Sequence, residues 1–409
     1  MMLRHYLIVF LLLVCMAPAS SQKTAPGEAG LSPEGIERID AWLRTEIDEE
    51  RLPMAEMLIW RNGALGYHET VGRSNLKTEA AVQEGQLYHL MSMTKPIVSV
   101  AFMMLYEEGH FQLQDPVAKY LPEFAELKVA RGTDEGLAVA TDPAESQITI
   151  EQVLSHTTGY SHGLSGSKLD NEFAAALYYR PQPDIAGRVS TLATLPLTAQ
   201  PGTRWIYSTS PDILARLIEV FSGQTVAEFL QERLFDPLGM DDTGYNVPAD
   251  QASRMVTNHQ AGENGLSVAA MQFPTSGVAV YGGSFGLIST AADYLKFCRM
   301  LLNEGSLDGK RYLSPKTIEL MTTNHVGEMR GNGEGFGLGF GIITDVAKNG
   351  VPGSEGQYFW NGAYSTFFFI DPKEDLIAIL LSQRSPYSGY HEKMLRQMTY
   401  QALDRTPDR

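Results

Sequence analysis

Along the first hundred residues the apolar positions change period twice. After Ser32-Pro33, the residues Ile36, Ile39, Leu43 and Ile47 recur at helical spacing, which predicts a helix with one apolar face, opened by a proline in its first turn. Met54 to Arg61 reads as a strand, Asn62-Gly63 is a two-residue hairpin signal, and Leu65 to Val71 reads as the returning strand. From Lys95 to Tyr106 nearly every position is apolar until Gly109 stops the run. A helix apolar all round belongs at the centre of a molecule.

The stretch from about 115 to 280 mixes helical pattern with long loops, clearest at Ile213 to Phe221 and Val226 to Phe235. A Gly-rich turn follows, then a helix from Ala291 to Leu302 capped by Thr290 and Asp293. The remainder alternates strands and turns: Phe336 to Ile343, Gln357 to Trp360, Ser365 to Ile370 and Leu376 to Leu381, closed by a helix from about His391 to Leu403. This order predicts an α+β fold. One antiparallel sheet is built from both ends of the chain (about 30–115 plus 280–409), and a mostly helical lobe (about 116–279) is inserted between them. A cleft between the lobes would suit a small molecule.

Composition narrows the function classes. A hydrophobic share of 44 % over 409 residues supplies a large core. The net charge of −16 is dispersed and no Lys/Arg stripe occurs, so no nucleic-acid partner is expected. Residues 1–21 read as a signal peptide: Arg4, an apolar run from Leu7 to Ala17, then small residues at Ala17-Pro18-Ala19. An exported protein, periplasmic or secreted and without a membrane segment after cleavage, is the expectation. Cys15 would leave with that segment, so Cys298 stands alone and no disulfide is expected. The 9 histidines lack paired ligand spacing, and no metal or other cofactor is indicated.

Ser-x-x-Lys occurs at Ser20, Ser74, Ser92 and Ser165. Only Ser92-Met93-Thr94-Lys95 opens an apolar helix. Residues three apart share a helix face, so Lys95 can reach the Ser92 hydroxyl. Burial there would lower the lysine pKa and free an amine to accept a proton. A helix N-terminus also offers N–H groups to an oxyanion. A competing nucleophile is Ser284 in Gly282-Gly283-Ser284-Phe285-Gly286, a formal match to the Gly-x-Ser-x-Gly elbow, with His325 and His391 downstream as partners. That elbow needs a helix directly after the serine. Here the cap comes only at Thr290.

Three further segments fall into order with Ser92: Leu154-Ser155-His156-Thr157-Thr158-Gly159, Tyr207-Ser208-Thr209, and Trp360-Asn361-Gly362-Ala363. Over about 35–405 the chain resembles the penicillin-recognising serine hydrolases: class C β-lactamases, DD-peptidases and, most nearly, family VIII carboxylesterases. The resemblance implies a β-lactamase/DD-peptidase-like fold and an acyl-enzyme mechanism. It implies Ser92 as nucleophile, with Lys95 and Tyr207 sharing the base work, a nearby cation lowering the phenol's pKa. The backbone N–H groups of Ser92 and Ala363 would form the oxyanion hole, and Thr209, Trp360, Asn361 and Gly362 would meet the substrate. Tyr160, His162 and Trp205 are further candidates for the cleft wall, and His156 for fixing its loop. The chain departs from the lactamase pattern where Trp360 replaces a Lys or His and Thr209 replaces an Asn. Both changes remove polar groups suited to an anionic β-lactam. The expected activity is therefore hydrolysis of small carboxylic esters or amides, with β-lactamase or DD-peptidase action as the alternative.

Overall fold

The computed structural model describes residues 23–263 and 265–404. The signal-peptide reading, with Cys15 and the Ser20 match, lies outside these residues.

Helix α1 (Pro33–Asp48) starts where Ser32 accepts a hydrogen bond from the Gly35 N–H, and it buries Ile39, Trp42 and Leu43. Strands β1 (Met54–Arg61) and β2 (Ala64–Asn75) form the expected hairpin. Asn62 and Gly63 both have positive φ, as the tight turn demands. A two-residue strand β3 (Ala80–Ala81) and helix α2 (Thr94–Glu107) follow. The intervening lobe contributes α3 (Ile185–Ala193) and α4 (Pro211–Ser222). Helix α5 (Ala291–Leu302) is capped by Thr290, as its sequence predicts. Strands β4 (Glu334–Phe336), β5 (Gly341–Ile343), β6 (Tyr358–Gly362), β7 (Thr366–Asp371) and β8 (Leu376–Leu381) lead to α6 (Gly389–Gln401).

The large sheet runs β4-β5-β6-β7-β8-β1-β2-β3, with every neighbouring pair antiparallel. The N-terminal hairpin thus joins the C-terminal strands through β1 and β8, as the sequence predicts. Side chains alternate across the sheet. Met54, Leu58 and Trp60 of β1 and Ile377, Ile379 and Leu381 of β8 enter the core around α2 and α5. Ala55, Met57 and Ile59, with Leu376, Ala378 and Leu380, enter a second core under α1 and α6. Burial on both faces is why these strands read as apolar runs without alternation.

Two elements depart from expectation. The segment Phe336 to Ile343 is two short strands joined by a turn in which Gly339 has φ 101°. The lobe 116–279 also contains strand. His259–Gly262 pairs with Gly265–Val268, and His259 and Gln260 pair in parallel with Arg384 and Ser385 from the far end of the chain. A parallel pairing of such distant segments leaves no local pattern in the sequence.

Helix α2 is buried from Thr94 to Leu105 and packs against α4. Phe102 is stacked on Phe111 at a centroid distance of 4.3 Å. Removing a ring from such a site leaves a cavity. Phe102→Ala is expected to lower stability by about 3–5 kcal/mol, read from urea unfolding.

Candidate active site

Ser92 lies in a short 3-10 turn, Met91–Met93, immediately before α2. Residues three apart across this turn and the start of α2 share one face, and the Lys95 side-chain nitrogen lies 3.2 Å from Ser92 Oγ. The residue before the turn is tethered through both of its backbone polar groups. The Leu90 N–H donates to the Leu287 carbonyl at 3.0 Å, and the Thr366 hydroxyl donates to the Leu90 carbonyl at 3.1 Å. Directly after this anchored residue Met91 holds φ 51°, a left-handed value that a side-chain-bearing residue keeps only under constraint.

Tyr207 arrives from a loop before α4. That loop is zipped to the Ser155–Tyr160 segment by hydrogen bonds: Gly202 N–H to Thr157 O at 2.7 Å, Ile206 N–H to His156 O at 2.9 Å, and Ser208 Oγ with His156 Nδ1 at 2.9 Å. Ser210 Oγ joins Ser208 Oγ at 2.7 Å and Thr158 Oγ1 at 2.8 Å. A buried loop must satisfy its backbone in this way. His156 is therefore a loop fastener, as its sequence context suggests. Tyr207 Oη consequently sits 2.6 Å from Ser92 Oγ. Its ring is stacked on His162 at 4.8 Å and packs against Trp360 at 5.5 Å.

Burial acts on both partners of Ser92. It pushes the Lys95 amine down to about 7, against the opposing pull of the Asp212 carboxylate. It pushes the Tyr207 phenol up, with the contact to Ser92 acting the other way. The expected lowering of this phenol is therefore corrected. Although Lys95 Nζ lies 4.7 Å from the ring centroid, desolvation of the phenolate outweighs it. In this arrangement the amine is the group able to hold or release a proton near neutrality.

Lys95 is 1 % exposed, and its third anchor is a carbonyl. Lys95 Nζ donates to Ser284 O at 2.8 Å. Ser284 is itself pinned: its N–H donates to Asp212 Oδ1 at 2.8 Å and its hydroxyl to the Thr209 carbonyl at 3.0 Å. A buried hydroxyl so engaged cannot serve as an elbow nucleophile. The two histidines that could have assisted it are committed elsewhere, His325 to Glu151 and the Leu320 carbonyl, His391 to Ser388 and Glu46. The Ser74 hydroxyl bonds to the Ala80 carbonyl and Ser165 to Ser167.

Strand β6 brings the last segment to the site. A Cβ on Gly362 would meet the Leu90 carbonyl at 2.3 Å and Met91 Cβ at 3.2 Å. Only glycine allows the strand to lie so near the Ser92 turn. The chain then emerges at exposed Ala363 beside that turn. Trp360 shares the Gly362 face and is buried among Tyr207, His156 and Phe336.

Two expected substrate contacts are corrected. Asn361 alternates to the opposite face of β6, where its amide bonds to Tyr387 at 3.2 Å and Glu392 at 3.1 Å. Thr209 is fully buried beneath the site, its carbonyl taken by Ser284. Of the further candidates, Tyr160 is core, packed on Phe124 and Phe173, and Trp205 lies under the Arg330 guanidinium. Asp212 and Arg330 have site positions that no motif announced. The Gly-x-Ser-x-Gly match did mark the Ser284 loop, but for its side chain and not its backbone.

The sequence matches the family model described as Beta-lactamase over residues 39–403. Protein Rv1367c of Mycobacterium tuberculosis is 33 % identical over 361 residues, covering 85 % of this chain and 89 % of that protein. Esterase EstB of Burkholderia gladioli is 29 % identical over 377 residues, covering 86 % and 91 %. The solved structure of EstCE1, a hydrolase with promiscuous acyltransferase activity, matches with a TM-score of 0.77 at 23 % identity, covering 90 % of this chain and 98 % of that one. The mixed fold with its large antiparallel sheet agrees with that neighbour, and the chain belongs to the Beta-lactamase family as a serine hydrolase.

Proposed function

We propose that this hydrolase cleaves small, mostly uncharged carboxylic esters through an acyl-enzyme on Ser92. The observation that carries the reading is the convergence on Ser92 Oγ of Lys95 Nζ at 3.2 Å and Tyr207 Oη at 2.6 Å. As Ser92 Oγ bonds to the ester carbonyl carbon, its proton passes to the neutral Lys95 amine, directly or through the Tyr207 hydroxyl. Charge on the carbonyl oxygen is met by the N–H groups of Ser92 and Ala363. The tetrahedral intermediate then expels the alcohol, which takes the proton back by the same route. Water, deprotonated by the same amine, releases the acid.

The preference for an uncharged substrate rests on the Trp360 corner. Lactamase-like relatives of the resemblance offer a cation at this position. Here an indole fills it. The neighbouring Arg330 guanidinium, 5.4 Å from the Trp360 ring, is paired with Glu334 at 2.8 Å. Its charge is already matched. The name of the relative EstB, an esterase, agrees with this reading.

Ser92→Ala is expected to reduce p-nitrophenyl butyrate turnover by about a thousandfold or more and to abolish fluorophosphonate labelling. Ser284→Ala should keep activity within about tenfold, because the Ser284 contacts to Lys95 and Asp212 use its backbone. The reverse pattern would hand the chemistry to Ser284. Nitrocefin turnover faster than that of the ester would instead favour a β-lactamase.

The lysine makes a second, pH-based expectation. Below about pH 7 the amine is protonated and cannot accept the Ser92 proton, so kcat/KM should fall on the acidic side with an apparent pKa of about 7. Lys95→Met should remove that limb along with most of the activity. A profile flat from pH 5 to 9 would contradict the assignment of Lys95 as base.

A further inference from the structure

We propose that Asp212 is a positioning residue that sets the proton affinity of Lys95, acting through the backbone of Ser284, with Arg188 limiting its pull. This rests on the reading of Lys95 as the base.

The geometry is a chain of contacts running away from the nucleophile. Lys95 Nζ donates to Ser284 O at 2.8 Å, and the Ser284 N–H donates to Asp212 Oδ1 at 2.8 Å. Asp212 Oδ2 faces Arg188 Nη1 at 3.6 Å, and both side chains are almost wholly buried, at 1 % and 11 % exposure. The glycines before Ser284 permit this closeness. A Cβ on Gly282 would fall 3.1 Å from Arg188 Nη1 and 3.2 Å from Asp212 Oδ1, and one on Gly283 would meet the Pro211 carbonyl at 1.9 Å.

Charge accounting around Lys95 singles out the same carboxylate. Tyr207 faces it from the loop before α4, and its phenol stays protonated because burial raises it. His156 and His162 approach from the loop after Leu154. Burial and then the Lys95 charge hold both well below their ordinary range, His162 at about 3, so neither is cationic near neutrality. Arg330 sits beside Trp360 and is paired with Glu334. Asp212, from α4, is the anion acting on the amine. It favours the ammonium, whereas burial favours the amine. Without the carboxylate the amine would lose its proton at lower pH. With the carboxylate unopposed by Arg188 it would keep the proton to higher pH.

The test is the pH profile of kcat/KM together with mass-spectrometric mapping of fluorophosphonate on Ser92. Asp212→Asn retains an oxygen for the Ser284 N–H and removes only the charge. Its acidic limb is expected to move down by about half a unit to one unit. Arg188→Gln should move the limb the other way. Arg188→Gln in the Asp212→Asn background should move it little, because Arg188 acts through the carboxylate. A folded Asp212→Asn protein that labels at Ser92 but keeps its limb in place, or moves it up, overturns the inference. If that variant does not fold, the Arg188→Gln limb decides: upward supports, unmoved overturns. Absence of the label from Ser92 in the unaltered enzyme would remove the acyl-enzyme reading, and this inference with it.

Discussion

The site depends on the burial of one amine. A lysine at the start of the most apolar helix is taken out of water, and desolvation makes its charged form costly enough to bring the pKa to about 7. In water the same side chain would hold its proton and be useless as a base near neutrality. The rest of the site supports that burial. Lys95 keeps hydrogen bonds to Ser92 and Ser284 at 3.2 Å and 2.8 Å, so the buried nitrogen is not left unsatisfied. Tyr207 closes over it with its ring face, 4.7 Å from Nζ.

The fold supplies this burial from opposite directions. Two cores, one on each face of the sheet, fix β6 and β7, and β7 carries Thr366, whose hydroxyl holds the Leu90 carbonyl. The helical lobe supplies the other wall, through the hydroxyl and imidazole contacts linking Thr158, His156, Ser208 and Ser210. Ser92 therefore sits where sheet edge, central helix and lobe meet. Each piece is held by contacts that do not involve the substrate, which is the preorganisation a serine hydrolase needs.

What could be read from the sequence followed the reach of each physical signal. The α1 start, the β1–β2 turn and the α5 boundaries are set by caps and turn residues within a few positions, and all were legible. So was the sheet drawn from both chain ends, because apolar runs of strand length cluster there. The Ser92–Lys95 pair was legible from its spacing at the start of an apolar helix, whereas Tyr207 was legible only by resemblance, since it is a distant residue with no local mark of its role. Reading Trp360-Asn361-Gly362 as one contact surface ignored the pleat, which sends Asn361 to Glu392 on the far face. The Tyr207 phenol was expected low from one neighbouring cation. Whether burial outweighs that cation depends on packing from several segments, which no local pattern encodes.

The Gly-x-Ser-x-Gly match shows how a motif can be chemically relevant for a reason other than its name. The glycines before its serine, one of them at a variable position of the motif, are required by close approach: a Cβ at Gly283 would lie 1.9 Å from the Pro211 carbonyl and 2.6 Å from its carbon, so the loop could not seat against the first turn of α4, and one at Gly282 would fall 3.2 Å from Asp212 Oδ1. Seated there, Ser284 turns its hydroxyl inward to Thr209 and offers its backbone on both sides, N–H to Asp212 and carbonyl to Lys95. In an elbow, glycines clear space so that the serine oxygen can be exposed. Here they clear space so that a peptide backbone can be buried between a carboxylate and an amine. The same spacing thus serves the proton acceptor of one serine while hiding the hydroxyl of another.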